Sequence, residues 1–180
     1  LMKKIEERVI IPTINGLQKE GLDYRGFIFL GFMIENDEPY MIEYNCRMGD
    51  PETEVVMPRL KNDLVELFQA VAEQKLDTIK IETDERTVCT VVAVSGGYPG
   101  DYKKGYEIHG LQDINPADSV VYHMGTIIKD GKVVTNGGRV FCVTSYGRYI
   151  YDSVAISKEE IEKITFTGME YRSDIGYEFD

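Results

Sequence analysis

The first third of the chain alternates between helical and strand-like spacing of its apolar residues. Apolar side chains recur at helical spacing from Met2 to Leu17, which predicts a helix with one buried stripe that Pro12 could kink or restart. The nearly continuous apolar run at 27–34 predicts a strand covered on both faces. A polar turn separates it from a second strand at 40–45, so the two predict an antiparallel hairpin.

Two short helices are expected after this hairpin. The first should have Asp50 as its N-cap and Pro51 as its first residue, and it should break or kink near Pro58. Its free backbone N–H groups would then form an anion site beside the preceding strand. The second helix should be capped by Asn62 or Asp63.

From about residue 87 the pattern becomes β-rich. An Asp130-Gly131 pair between two apolar segments predicts a tight hairpin turn. A late helix is expected between Tyr149 and Lys163, and Ser157 with Glu160 could form a capping box that restarts it. Strands are predicted at 88–94, 120–129, 132–135 and 140–145. The charged stretch at 77–86 marks a boundary, so we expect one domain at 1–80 and another at 81–180.

Composition narrows the class of protein. The 180 residues are 43% hydrophobic and carry 20 basic against 31 acidic side chains, a net charge of -11. This balance, without a Lys/Arg cluster, argues against a nucleic-acid partner. No signal peptide is evident and no apolar run is long enough to span a membrane, so we expect no membrane partner.

The three cysteines and two histidines lack metal-ligand spacing. Cys46, Cys89 and Cys142 are far apart and odd in number, which predicts reduced, mostly buried thiols and a cytoplasmic protein. We interpret Cys46 as a packing residue rather than a nucleophile. His109 and His123 have no partner pattern nearby, and we expect neither to be functional.

The segment Glu43-Tyr-Asn-Cys-Arg-Met-Gly-Asp-Pro-Glu52 carries the candidate chemistry. On a strand, Glu43 and Asn45 share a face, and their oxygens are ligands that magnesium prefers. Arg47 lies on the same face if the strand continues, and its planar fork can bind carboxylate or phosphate. Each residue alone fits a solvated face or a capped turn; the ordered combination predicts a nucleotide–metal site.

Two glycine-rich loops allow an anion-binding and a structural interpretation. Ser95-Gly-Gly97 followed by Lys103 and Lys104 could cradle an anion, but tight β turns require the same residues, and the turn is favoured. For Asn136-Gly-Gly-Arg139 the two interpretations are about equally supported. Neither loop has the Walker A pattern, and the chain has no GxGxxG.

Motifs along most of the chain resemble one enzyme family. The run Glu43–Thr53 is similar to the signature of glycinamide ribonucleotide synthetases, also called phosphoribosylamine–glycine ligases, which are ATP-grasp enzymes of purine synthesis. The resemblance extends to four further motifs in the expected order: Arg25-Gly26, Ser95–Gly105, Asn136–Arg139 and Tyr171–Gly176.

The resemblance implies both a fold and an activity. The fold would be α+β, with the C-terminal part of an ATP-grasp domain (an antiparallel sheet with helices) followed by a small, mostly β, barrel-sandwich-like domain. The activity would be the ATP-dependent ligation of glycine to 5-phosphoribosylamine, through glycyl phosphate, with Mg²⁺ or Mn²⁺ as cofactor. The products would be glycinamide ribonucleotide, ADP and phosphate, and the full-length enzyme would be monomeric.

The same resemblance implies residue roles. Glu43 and Asn45 would bind the metal, and Arg47 would be catalytic by neutralising an acyl-phosphate or carboxylate oxygen. The substrate-binding residues would be those of the turn that follows: Gly49, Asp50, Pro51 and Glu52.

Two positions on the first strand of the hairpin leave questions open. Met33 would pack against adenine, although a core position fits it as well. ATP-grasp enzymes commonly carry another metal ligand on this strand, where Gly31 has no side chain. The number of metals therefore stays open, as do the roles of Arg139, Lys103 and Lys104.

The resemblance begins partway through the ATP-grasp domain. We therefore expect these residues to be a C-terminal fragment that carries one wall of the site and is inactive alone. Two alternatives remain: another ATP-grasp carboxylate–amine ligase, or a non-catalytic nucleotide-binding module of the same fold.

Overall fold

The computed structural model describes residues 1–179, which form two compact units. The first comprises Leu1–Glu52 and Asn62–Glu82; the second comprises Thr53–Lys61 and the chain from Thr83 onward. Both units combine short helices with antiparallel strands, which confirms the predicted α+β class. Within the described residues, no helix has the length and apolar character needed to cross a membrane.

The chain begins with three consecutive helical segments. Helix α1 (Met2–Ile5) continues through a π-helical stretch (Glu6–Ile10) into α2 (Ile11–Lys19), which has Pro12 at its start as expected. The predicted apolar stripe is only partly buried, since Ile5 is 8% exposed while Met2 is 69% exposed.

A β-hairpin follows, as predicted. Strand β1 (Phe29–Glu35) pairs antiparallel with β2 (Glu38–Asn45), and a bulge interrupts the register after Gly31. Glu38 on β2 accepts hydrogen bonds of 2.6 Å from Lys4 and from Arg8, which tie the hairpin to the N-terminal helix.

The expectation that β1 is covered on both faces is wrong. Met33 is 62% exposed and Ile34 is 44% exposed. The described elements therefore leave the end of this apolar run exposed.

The helices after the hairpin differ in part from the prediction. The Asp50–Pro51 peptide bond is cis, the following residues form a turn, and α3 is Thr53–Val56. Because α3 begins at Thr53, Asp50 is not its N-cap and Pro51 is not its first residue. The expected anion site at that helix start stays a prediction. A 3₁₀ turn (Met57–Arg59) follows α3, near the predicted break.

The next helix, α4 (Leu64–Ala72), begins as predicted. Asp63 is its N-cap, and the carboxylate accepts hydrogen bonds from the backbone N–H groups of Val65, at 2.8 Å, and Glu66. This satisfies two of the N–H groups that a helix start leaves unpaired.

The second unit contains a four-stranded antiparallel sheet in the order β4-β7-β3-β8 and a separate β5-β6 hairpin. The Asp130-Gly131 turn between β5 and β6 has positive φ at both residues (52° and 77°), as tight hairpin turns require. The strand bounds are β3 Thr87–Ser95, β4 Ser119–His123, β5 Thr126–Lys129, β6 Lys132–Thr135, β7 Arg139–Gly147 and β8 Met169–Glu170.

Helix α5 (Ile150–Ile161) covers this sheet and helps to enclose the core, which includes the fully buried Phe141. The expected restart at Ser157 and Glu160 is wrong, because both are buried inside a continuous helix. Ser157 donates to the carbonyl of Cys89 at 2.9 Å, and Glu160 accepts from the backbone N–H of Asn115 at 3.0 Å.

Two of the three cysteines are buried, as predicted. Cys89 is 8% exposed and Cys142 is fully buried, and burial raises the pKa of both thiols. Cys46 is exposed, so its assignment as a packing residue is wrong; it follows the last residue of β2, outside any packed layer.

Candidate functional site

A cleft of about 370 Å³ in the first unit brings together most of the predicted site residues. Its walls are β1, β2 and the turn that follows β2. Pro51 and Met33 do not line it. The predicted residues that do line it are Glu43, Asn45, Arg47, Gly49, Asp50 and Glu52.

Glu43 and Asn45 lie on one face of β2, as the two-residue period of a strand requires. The Asn45 amide nitrogen donates to Glu43 Oε1 at 2.9 Å. This hydrogen bond holds the two side chains together and leaves the Asn45 amide oxygen and Glu43 Oε2 available to a ligand.

This donor set fits a hard cation. One carboxylate and one amide oxygen resemble the sparse protein ligation of Mg²⁺, which keeps its other positions for phosphate oxygens and water. Among residues 1–179, no three or more His, Cys, Asp or Glu side chains are grouped closely enough to hold a metal ion. The oxygens of Glu43 and Asn45 therefore suit a metal that a bound phosphate ligand would help to retain.

Gly31 lies directly opposite Glu43 in the strand register. A Cβ atom at Gly31 would lie 3.0 Å from Glu43 Cγ and 3.7 Å from Oε1. The missing side chain therefore leaves the space that the Glu43 side chain uses, and it adds no metal ligand on β1.

Arg47 is exposed beyond the end of β2. One guanidinium nitrogen donates to the carbonyl of Met48 at 2.8 Å, and the side chain makes no ion pair with the residues that the structure describes. The guanidinium has five N–H donors, so most of its capacity remains for an anionic ligand in the cleft.

The turn after β2 packs closely around Gly49, which is buried. A Cβ atom there would collide with the Glu52 carboxylate and would lie 2.7 Å from the Phe29 ring. Glu52 is thus folded over Gly49 at the cleft wall, with the aromatic ring of Phe29 beside it.

Four apolar lining residues were not predicted as site residues. Phe29, Leu30 and Phe32 belong to the apolar run that was interpreted as a covered strand, and Ile42 lies on the second strand. A signal for Phe29 existed, because residues 29 and 31 share a strand face and lie opposite Asn45 and Glu43. Met33 continues that face but pairs with Tyr40 outside the cleft. Its exposure argues against the core alternative, and its contact with adenine stays a prediction.

The two glycine-rich loops lie in the second unit. The first forms a turn in which Gly97 has φ of +96° and Gly96 donates its backbone N–H to the carbonyl of Gly168 at 2.7 Å. Lys103 lines a cavity beside this loop, and Lys104 lies 5.9 Å from the ring centre of Tyr102. Arg139 is half-buried at the start of β7.

Both histidines make contacts with nearby side chains. His123 Nδ1 lies 2.9 Å from the hydroxyl of Thr126, and His109 Nδ1 lies 3.8 Å from a carboxylate oxygen of Glu107. These are local contacts outside the cleft.

Two family models match the chain. "Phosphoribosylglycinamide synthetase, ATP-grasp (A) domain" matches residues 1–53, and "Phosphoribosylglycinamide synthetase, C domain" matches residues 88–178. The cleft-lining residues from Phe29 to Glu52 all fall within the first match.

Individual relatives carry matching names. The phosphoribosylamine–glycine ligase of Caldanaerobacter subterraneus subsp. tengcongensis is 44% identical over 97% of this chain and 41% of its own length. The trifunctional purine biosynthetic protein adenosine-3 of Gallus gallus is 44% identical over 98% of this chain and 18% of its own length. The chain thus spans about two-fifths of the bacterial relative's length.

Two solved structures are similar to this chain. The phosphoribosylamine–glycine ligase of Thermotoga maritima superposes with a TM-score of 0.76 at 37% identity, covering 96% of this chain and 42% of that one. The urea carboxylase of Kluyveromyces lactis, at 17% identity and a TM-score of 0.51, shares the fold over 77% of this chain.

Proposed function

The chain belongs to the phosphoribosylglycinamide synthetase family, and we propose that it contributes one wall of the site that ligates glycine to 5-phosphoribosylamine at the expense of ATP. The observation that carries this proposal is the shared cleft. A two-oxygen metal-binding pair, an arginine without an ion-pair partner among the described residues and an acidic turn line one volume of about 370 Å³. The products are glycinamide ribonucleotide, ADP and phosphate.

Glu43 and Asn45 hold Mg²⁺ or Mn²⁺ in this proposal. Their hydrogen bond holds the two side chains together at the cleft, which supports their binding one ligand jointly. The metal, when bound, supplies positive charge that offsets the charge of the ATP phosphates. Phosphoryl transfer depends mainly on such positioning and charge neutralisation, which these residues provide without covalent participation.

Arg47 is the proposed catalytic cation. A glycine carboxylate oxygen attacks the γ-phosphorus of ATP, the bond to the ADP oxygen breaks, and glycyl phosphate forms. The Arg47 guanidinium donates hydrogen bonds to a carboxylate or acyl-phosphate oxygen, which offsets charge as it redistributes. Its exposed position and unused donors support this role.

The turn Gly49–Glu52 shapes the acceptor pocket. The amine nitrogen of 5-phosphoribosylamine attacks the carbonyl carbon of glycyl phosphate, the carbon–oxygen bond to phosphate breaks, and the nitrogen loses a proton. Asp50 or Glu52 orients this amine by accepting its hydrogen bonds, while Gly49 and Pro51 shape the backbone. The placement of the Glu52 carboxylate at the cleft wall supports this assignment.

The same proposal includes the adenine contact, the location, the oligomeric state and the partners of the enzyme. Met33 packs against the adenine of ATP, the parent enzyme is cytoplasmic and monomeric, and its partners are small molecules rather than nucleic acid or membrane. The chain divides at residues 80 and 81 into an ATP-grasp portion and a C-terminal domain. Because the chain spans about 41% of the length of the C. subterraneus relative, we propose that the isolated 180 residues do not convert ATP and glycine to products.

A chimeric enzyme tests the activity. The matching residues of the C. subterraneus ligase are replaced by this chain, and formation of glycinamide ribonucleotide, ADP and phosphate is measured. We expect activity in the chimera and a loss of at least about 100-fold after Glu43→Gln, since an electrostatic contact at the transition state is removed. Activity with a different amine acceptor would instead favour another carboxylate–amine ligase.

The metal role is tested on the 180-residue chain itself. Mn²⁺ binding in the presence of ATP is followed by electron paramagnetic resonance for wild type, Glu43→Gln and Glu35→Gln. Glu35 is the matched control, because it is an exposed glutamate on the same hairpin outside the cleft. Equal Mn²⁺ affinity in all three proteins would contradict the metal assignment, and turnover by the isolated chain would contradict its inactivity.

A further inference from the structure

The second unit contains a cavity that the proposed ligation does not use. Its volume is about 350 Å³, within the range of about 300–1,000 Å³ that is typical of small-molecule pockets. It lies where the glycine-rich loop after β3 meets the turn at Thr167–Gly168. Asp101 and Lys103 line it, together with the half-buried Tyr102 and Tyr106.

Backbone hydrogen bonds fix the loop that forms this cavity. At one end, Ser95 donates its N–H to the carbonyl of Gly138 at 2.7 Å, and Gly96 donates to Gly168 at 2.7 Å. At the other end, Gly105 donates to the carbonyl of Thr135 at 2.7 Å. Both ends of the loop are therefore anchored, which limits how much of it a ligand would have to order when it binds.

Among residues 1–179, the charged and phenolic side chains of the wall make no hydrogen bond or ion pair, whereas the Ser95 hydroxyl donates to the carbonyl of Gly137 at 2.8 Å. Asp101 and Lys103 form no ion pair with each other, and neither the Lys103 ammonium nor the hydroxyls of Tyr102 and Tyr106 donate a hydrogen bond. A spacing of two residues does not prevent direct pairing. Four other oppositely charged pairs at this spacing close to 2.8–2.9 Å: Asp23–Arg25, Glu73–Lys75, Asp84–Arg86 and Arg172–Asp174.

We propose that this cavity binds a zwitterionic small molecule, a free amino acid with an apolar or aromatic side chain. Lys103 donates to its carboxylate, Asp101 accepts from its ammonium group, and the rings of Tyr102 and Tyr106 pack against its side chain. The wall satisfies one charge of each sign, so an anion or a cation alone leaves one of them without a partner. No bond is made or broken in this binding.

The test uses four compounds and the 180-residue chain. L-Phenylalanine carries all three features, whereas 3-phenylpropionate lacks the ammonium group, phenethylamine lacks the carboxylate, and glycine lacks the side chain. Binding is followed by the shifts of backbone amide signals in two-dimensional NMR, without metal or ATP. We expect saturable shifts at 95–106 and 167–168 with L-phenylalanine, and affinities about 10–100-fold weaker for the other three.

Charge-removing variants complete the test. Lys103→Gln and Asp101→Asn should each weaken L-phenylalanine binding about 10–100-fold, while Lys129→Gln, an exposed lysine on β5, should leave it unchanged. The amide spectrum of each variant shows that it is folded. Absence of saturable shifts, equal affinity for all four compounds, or shifts confined to the cleft around Glu43 would each overturn the proposal.

Discussion

Replacing Gly49 by Ala tests the packing of the candidate site through the sign of a stability change. Gly49 does not have a positive φ, so an alanine there meets no backbone strain. Where space is available, such a substitution stabilises a protein by about 0.4–1 kcal/mol, because it lowers the conformational entropy of the unfolded chain. At Gly49, however, the added methyl group collides with the Glu52 carboxylate and lies 2.7 Å from the Phe29 ring.

The expected magnitude follows from these opposing effects. Overpacking by one methyl group costs about 1–3 kcal/mol, and the unfolded-state gain offsets part of this. We expect Gly49→Ala to lower the free energy of unfolding by about 1–2 kcal/mol. The matched control is Gly16→Ala in α2, where nothing lies within 4 Å of the new Cβ; it should raise the free energy of unfolding by about 0.5–1 kcal/mol.

Denaturant unfolding measured by far-UV circular dichroism gives both values, because the chain has no Trp to report by fluorescence. In a Glu52→Ala background the cost of Gly49→Ala should fall by at least about 0.5 kcal/mol, since one of the two colliding groups is gone. A stabilising or neutral Gly49→Ala would refute the close packing of Glu52 and Phe29 against Gly49. An unchanged cost in the Glu52→Ala background would show that Phe29 alone limits the space.

Three further predictions concern other parts of the chain. Gly110→Ala should cost at least about 3 kcal/mol by denaturant unfolding, because Gly110 has φ of +85° and its Cβ would strike the Lys163 carbonyl. The side chains of Lys4 and Arg8 lower the pKa of Glu38. The stabilisation that the Glu38 carboxylate contributes is therefore present above its pKa in the unfolded chain and is lost as the pH falls through its pKa in the folded protein. Glu38→Gln should reduce the loss of stability between neutral and acidic pH. Cys46 alone should react rapidly with a thiol reagent in the native state, whereas all three cysteines should react after unfolding.

The sequence correctly predicted features that depend only on residues close together along the chain. The Asp63 cap forms because its carboxylate reaches N–H groups two and three residues away, and the Asp130-Gly131 turn forms because both residues adopt positive φ. The shared face of Glu43 and Asn45 follows from the period of a strand. For the same reason, the proposed metal-binding pair could be placed on one face from the sequence.

The predictions that were wrong concern burial and helix starts, which depend on how residues distant in sequence pack together. An apolar run such as Phe29–Ile34 predicts a strand, but only the elements packed on it determine whether Met33 is covered. Asp50-Pro51 has the composition of a helix start, yet the chain turns through these residues before α3 begins. The burial of Cys46 depends on packing beyond its strand and could not be read from the sequence.

The arrangement of the cleft depends both on local strand geometry and on packing between residues distant in sequence. Strand period places Glu43 and Asn45 on one face, but the Glu52 carboxylate lies beside Gly49 together with the ring of Phe29, which comes 23 residues earlier in the chain. Gly49 is therefore the point at which the turn that carries the acidic side chain packs against β1, the strand that pairs with Glu43 and Asn45. A glycine in a motif can thus be required by the small space beside a cleft carboxylate and an aromatic wall residue, even where its backbone dihedrals are ordinary.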